Sequence, residues 1–254
     1  MIERRAAILK YIQAQGEVNT EQLFGRFPEH NPKTLRRDLV HWEQAGAILR
    51  SHGKARINNQ YLFVPEEQPA KREGESSRVK NELAVAALSF LGGHNSIFID
   101  AGSTMMAFAR QLPDKNFTVL TGAPNIALNV VSGCPQCSVL LAGGSLNSKT
   151  QSCVGYSSTE FVKQINIDIA FMGAAGFSVS GGFTVGEHFE SDLKRVVIER
   201  AGKVVLLMES SKIGVSMPFT FARASEVDVL ICDKYIDPEA ESHILSKGTK
   251  LVKV

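Results

Sequence analysis

Residues 31–57 read NPKTLRRDLVHWEQAGAILRSHGKARI, and two periodicities follow one another inside that stretch. Asn31-Pro32 is a helix start, since Asn caps well and Pro is favoured at the first helical position, where its missing N–H costs nothing. Leu35, Leu39 and Trp42 then recur at i, i+4, i+7 as an inward stripe. Lys33, Arg37 and His41 recur at i, i+4, i+8 on another face, flanked by Thr34 and Arg36, and Gly46 ends the helix. From there the period becomes two. Arg50, His52, Lys54 and Arg56 alternate with Leu49, Ser51, Gly53, Ala55 and Ile57. This is the pattern of a strand pair turning at Gly53, and it predicts four basic side chains on one face.

Upstream, ERRAAILKYIQAQ (3–15) sets Ile8, Leu9 and Ile12 at helical spacing before a stop at Gly16. In VNTEQLFGRF (18–27), Asn19 and Gln22 have the spacing of a capping box, and Val18 and Leu23 that of a hydrophobic staple. Phe24 and Phe27 extend the apolar face of this second helix, which ends near Pro28. Three short helices and a basic ribbon describe a winged helix-turn-helix, its third helix entering a major groove and its ribbon lying along phosphates or a minor groove. A basic helix face alone is more often merely solvated. Caps, spacing and ribbon together point to double-stranded DNA. The candidate contacts are Lys33, Thr34, Arg36, Arg37, Arg50, His52, Lys54 and Arg56, most of them suited to positioning on phosphates.

The charge distribution agrees. The chain of 254 residues has a formal net charge of +2, but residues 1–58 hold ten Lys/Arg against six acids, +4, leaving −2 for the remainder. A basic module on a mildly acidic body suggests a polyanion partner. At about 150 residues per domain the length fits roughly two domains. The expected division is 1–57, a winged helix-turn-helix; 58–78, a linker rich in Pro, Glu, Lys, Ser and Gly around one apolar island, Tyr61–Val64; and 79–254, an α/β domain. With 44% hydrophobic and 21% charged residues, dominant disorder is excluded. No apolar run approaches the roughly 20 residues of a membrane span, and no signal peptide opens the chain, so a cytoplasmic protein without membrane partners is expected.

From residue 79 helical segments alternate with short apolar runs: SIFID, FTVLT, SVLLA, IDIAFMG, KVVLLM and VDVLICD, with helices also near 187–201 and 237–246. That alternation indicates an α/β fold with a mainly parallel sheet, in which ligands bind beyond the carboxyl ends of strands. Asp100-Ala101-Gly102-Ser103-Thr104 follows one such strand. Its free N–H groups, helix dipole and hydroxyls suit a phosphate or another oxyanion, the alternative being ordinary helix capping by Ser103. Pro124-Asn125 and Gly143-Gly144 are comparable strand-end sites, and Gly173 to Gly182 reads as a flexible connection. Glu190 and Lys194 form an i, i+4 pair, most simply a solvated one, and Lys212 follows a strand at its carboxyl end. Cys134 and Cys137 form a lone CxxC without further zinc ligands and read as incidental thiols, and His188 reads as a surface residue. No cofactor or metal is expected.

The run TLRRDLVHWEQAGAILRSHGKA resembles the signature of DeoR-type bacterial transcriptional regulators. Arg36-Arg37, Asp38-Leu39, Gly46, Arg50 and His52-Gly53 fall where that motif expects them, and Lys54 stands where a second Gly is usual. The resemblance implies a C-terminal sensor domain similar to phosphosugar isomerases such as ribose-5-phosphate isomerase. By that resemblance Asp100, Gly102, Ser103 and Thr104 contact a sugar phosphate, and Asn125, Gly144, Glu190, Lys194 and Lys212 line the same pocket. Gly122 replaces the usual Asn and removes one polar contact. The implied protein is not an enzyme. It is a repressor of a carbohydrate catabolic operon, controlled by a phosphorylated metabolite and acting as a homodimer or homotetramer on paired half-sites. The alternative is a phosphosugar isomerase with an N-terminal appendage, for which Glu187 and Glu190 are the carboxylates to consider as base, although neither lies in a recognisable catalytic motif.

Overall fold

A computed structural model describes residues 2–44, 48–51, 53–57 and 77–254. The chain divides into two compact units, Met1–Pro65 and Glu66–Val254. Gly46, His52 and most of the expected linker lie outside the described residues, as does the side chain of Leu9.

The first unit runs α1 (Ile2–Gln15), β1 (Glu17–Asn19), α2 (Thr20–Arg26), α3 (Pro32–Gln44), β2 (Ile48–Ser51) and β3 (Lys54–Ile57). The capping box forms as expected: the Asn19 side chain accepts from the Gln22 N–H at 2.8 Å, and the Gln22 side chain accepts from the Asn19 N–H at 2.9 Å. Asn31 caps α3 by accepting from the Lys33 N–H at 2.8 Å. Ile8, Ile12, Val18, Leu23, Leu35, Leu39, Ile48 and Ala55 form one core, with Tyr11, Phe24, Phe27 and Trp42 packed against it. Truncating a side chain such as Leu39 there would cost about 2–5 kcal/mol.

The ribbon departs from its expected geometry. Its register pairs Ser51 with Lys54, Arg50 with Ala55 and Leu49 with Arg56. Residues directly across from one another share a face, so the two-residue turn puts odd positions of one arm opposite even positions of the other. Lys54 and Arg56 therefore share a face with Leu49 and Ser51, whereas Arg50 lies on the face of Ile48 and Ala55, both buried. Strand β1, which the sequence reading did not assign, pairs with β3 and sets Glu17 across from Arg56.

The second unit is a seven-stranded parallel sheet in the order β15-β14-β12-β9-β4-β5-β6. Its strands are β4 (Ser96–Ile99), β5 (Thr118–Thr121), β6 (Ser138–Leu141), β9 (Ile169–Gly173), β12 (Val204–Met208), β14 (Val229–Cys232) and β15 (Lys250–Lys253). Alternate residues feed opposite layers. Ile97 and Ile99 join Leu83, Phe108 and Ile126 from α4 (Ser77–Leu88), α5 (Ser103–Ala109) and α6 (Pro124–Gly133). Phe98 joins Val162, Leu193 and Ile244 from α7 (Tyr156–Lys163), α8 (His188–Arg200) and α9 (Pro238–Ser246). Coverage on both faces explains why the central strands read as continuous apolar runs. No described helix is long and apolar enough to cross a membrane.

Gly173 to Gly182 is not a loose connection. It holds β10 (Gly176–Ser178), which pairs with β11 (Gly182–Val185), itself paired with β13 (Phe219–Ala222). Gly176 and Gly182 are required there because a Cβ would lie 2.4 Å from the Val215 and Ala222 carbonyl oxygens respectively. A further hairpin joins β7 (Ser145–Asn147) and β8 (Ser152–Val154). From β4 the chain adds β5 and β6 on one side, then crosses back to place β9, β12, β14 and β15 on the other. The order reverses between β4 and β9, and that crevice is where open α/β sheets bind ligands.

Candidate functional site

Asp100 leaves β4 at the reversal point. Its Oδ2 accepts from the Gly173 N–H at 3.0 Å and from the Lys194 ammonium, and its Oδ1 accepts from the Ala101 N–H at 2.9 Å. Lys194 also donates to the Gly173 carbonyl at 3.0 Å, lies 3.5 Å from Glu190 Oε1, and sits 5.1 Å from the Phe221 ring centroid. Asp100 and Lys194 are 6% and 3% exposed, so the Glu190–Lys194 pair is not the solvated contact its spacing suggested. It is buried because α8 turns this face onto the sheet's carboxyl end. Lys212 reaches the next carbonyl along, that of Ala174, at 3.0 Å.

Gly102 precedes α5 with φ +114° and ψ 166°, a region reserved almost wholly for glycine, and no side chain caps that helix. Ser103 is the first helical residue rather than a cap, and both it and Thr104 are buried. Asn125 and Gly144 stand at the next two strand ends. Asn125 donates to the Gln151 side chain at 3.4 Å, and Gly144, at φ +132°, admits no Cβ because Ser158 Oγ would be 2.5 Å away. A Cβ on Gly122 would lie 3.1 Å from the Cys153 carbonyl, so the position favours the smallest residue.

The structure therefore joins Asp100, Glu190 and Lys194 directly and brings Lys212 to the adjoining backbone. Gly173 and Phe221 are partners that sequence reasoning missed, since one lies in a glycine-rich run and the other in an unassigned strand. Two carboxylates around one ammonium supply acceptors and donors for a hydroxyl-rich ligand. Elsewhere, burial, followed by the nearby Cys137 thiol, pushes the Cys134 thiol up to about 11, so it stays protonated at neutral pH.

In the first unit Lys33, Arg36 and Arg37 are exposed on α3 and Thr34 is half-buried. The Arg36 guanidinium lies 5.5 Å from the Phe24 ring centroid. Arg50 pairs with Glu43 at 3.0 Å and Lys54 with Glu17 at 2.6 Å, both exposed. Such pairs are worth little and yield readily to a phosphate. Asp38 differs, being fully buried and held by Arg4 Nε at 2.6 Å and Arg5 Nε at 3.0 Å. The Trp42 indole donates to the Arg5 carbonyl at 2.9 Å. Two of the ten cations counted in the sequence thus serve an internal ion cluster.

Comparison with known proteins bears on both units. Residues 4–61 match the DeoR-like helix-turn-helix domain, and residues 75–234 match the DeoR C terminal sensor domain. The HTH-type transcriptional regulator GlpR of Haloferax volcanii is 31% identical over 98% of this chain and 96% of its own. The glycerol-3-phosphate regulon repressor of Escherichia coli is 28% identical over 91% and 90%. The HTH-type transcriptional repressor GlcR of Bacillus subtilis is 29% identical over 91% and 88%.

Proposed function

The chain belongs to the DeoR family of helix-turn-helix transcriptional regulators, and on that premise we propose that it is a cytoplasmic repressor of a carbohydrate catabolic operon, released or engaged by a sugar phosphate or related phosphorylated metabolite. The observation that carries the effector reading is the Asp100–Lys194–Glu190 cluster at the sheet's reversal point. The carboxylates of Asp100 and Glu190 and the ammonium of Lys194 bind ligand hydroxyls. The backbone around Gly102, with Ser103 and Thr104, takes the phosphate, and Asn125, Gly144 and Lys212 complete the pocket. Lys33, Thr34, Arg36, Arg37, Lys54 and Arg56, with His52 at the ribbon, contact operator DNA, whereas Arg50, on the other face of the ribbon beside Glu43, does not. Paired half-sites call for a homodimer or homotetramer. The domain division is 1–57 for DNA and 79–254 for the effector, with the linker between them. An effector acts here only through its differential affinity for conformations that bind DNA unequally.

A thermal-shift screen against a panel of sugar phosphates tests this reading. A true effector in large excess over its dissociation constant raises the midpoint visibly, and Asp100→Ala abolishes the rise. The overturning results are that no phosphate ester shifts the midpoint or that Asp100→Ala responds like wild type. An aldose–ketose interconversion assay over the same panel separates sensing from the isomerase alternative.

A further inference from the structure

We propose that Val40 reads a thymine in each operator half-site, packing its methyl groups against the C5-methyl of the base. This rests on the reading that the outward face of α3 meets DNA. At about 100° per residue, Leu35, Asp38, Leu39 and Trp42 occupy the inward side of α3, and the first three of them are buried. Lys33, Arg36 and Arg37 precede Val40 by seven, four and three residues, which places all four on one outward stripe. Val40 is half-buried and, among the described residues, is not one of the side chains packed against the core of this unit.

A valine on that stripe is out of keeping with its cationic neighbours Lys33, Arg36 and Arg37. It is a weaker helix former than Ala or the charged residues around it, it has no polar atom for a phosphate, and part of its surface stays uncovered in the module. In a major groove the short side chain at the middle of the stripe comes nearest the base edges, while the longer cations beside it reach phosphates or guanine. The one apolar group exposed on that floor is the thymine methyl. The cations supply affinity largely indifferent to sequence. Val40 then discriminates a T·A pair from C·G at one step.

The experiment begins with selection of binding sites from random duplex DNA by the full chain, with and without the sugar-phosphate panel. Each thymine of the selected site is then replaced singly by deoxyuridine, which removes only the methyl. At one thymine per half-site the replacement weakens wild-type binding about fourfold, the transfer equivalent of one buried methyl. For Val40→Ala the same replacement costs little, although that variant binds the unmodified site more weakly. Val40→Ala puts a better helix former at a half-exposed position, so it folds, and Trp42 emission reports this.

A selected site whose affinity drops with Arg37→Ala, but whose deoxyuridine penalties are the same in Val40→Ala as in wild type, overturns the assignment of Val40 alone. Failure to enrich any site, or affinity indifferent to Arg37→Ala, overturns the underlying reading of α3 as well.

Discussion

Asp38 and Arg4 meet at 2.6 Å between the buried face of α3 and α1, the first helix of the module. The neighbouring Arg36 and Arg37 are exposed, so three consecutive charged residues divide between two roles. Two cations face outward, and the carboxylate turns in to meet Arg4 and Arg5. The cluster fixes α3 against α1 from across more than thirty residues of sequence, and the indole of Trp42 adds a bond to the same stretch of α1. A recognition helix must hold its outward face at a fixed angle to read DNA. If α3 reads DNA as proposed, that angle is set by a carboxylate buried away from the outward face.

Acid should unfold this module. Burial raises the Asp38 carboxyl, but the bonds from Arg4 and Arg5 outweigh it and hold the group below the ordinary aspartate value of 3.8. A depressed folded value means stability that is present above the unfolded value and lost as pH falls through the folded one. The module therefore loses stability as pH falls below about 4, and Asp38→Asn loses about 3 kcal/mol at neutral pH, as expected when one partner of a buried pair is removed. Trp42, the only tryptophan, reports both by its emission. An acid transition unaltered in Asp38→Asn would assign the acid sensitivity elsewhere.

Of the ribbon's arginines and lysine, Lys54 and Arg56 should engage phosphates and Arg50 should not. Lys54 and Arg56 share the outer face, so Lys54→Ala and Arg56→Ala each reduce the slope of log affinity against log salt by about 1, as loss of one phosphate contact does. Arg50 lies on the opposite face beside Glu43, and Arg50→Ala leaves the slope within about 0.3 of wild type. Equal slope changes for all three variants would mean that the ribbon re-registers on DNA.

The regular parts of this architecture were legible where local chemistry decides them. Asn19 with Gln22, Asn31 with Pro32, and the apolar runs of β4, β5, β9, β12 and β14 specify caps and doubly covered strands from neighbouring residues alone, and the run of β6 marks a strand although it lies at the sheet edge. Strand β15 escaped notice because it lies at the sheet edge, where Lys250 and Lys253 break the apolar run and protect the open side. Helix α7, with Ser157, Ser158 and Thr159 in eight residues, gives little periodic signal. Ribbon faces were misjudged because parity along one strand says nothing about parity across a turn.

The candidate site was half legible. Asp100 and Lys194 were identifiable singly, but their junction spans 94 residues and depends on β4 and β9 being neighbours, which sheet order alone decides.

The Asp100–Lys194 pair should behave as one unit under mutation. Each group is buried and is the other's principal counter-charge, with Glu190 as a second neighbour of Lys194. Replacing Lys194 by Met strands a buried carboxylate beside Glu190, and replacing Asp100 by Ala removes the bonds that tie β4 to Gly173. Either change costs about 3–5 kcal/mol. The double variant loses less than the sum of the singles, with a coupling of about 1–3 kcal/mol. Denaturant unfolding followed by far-UV circular dichroism measures all four corners of that cycle. Simple additivity would mean that Glu190, not Asp100, satisfies Lys194 in solution. A large coupling would explain how effector binding reaches the fold, because a ligand hydroxyl inserted between these two groups exchanges one set of buried bonds for another at the junction of β4, β9 and α8.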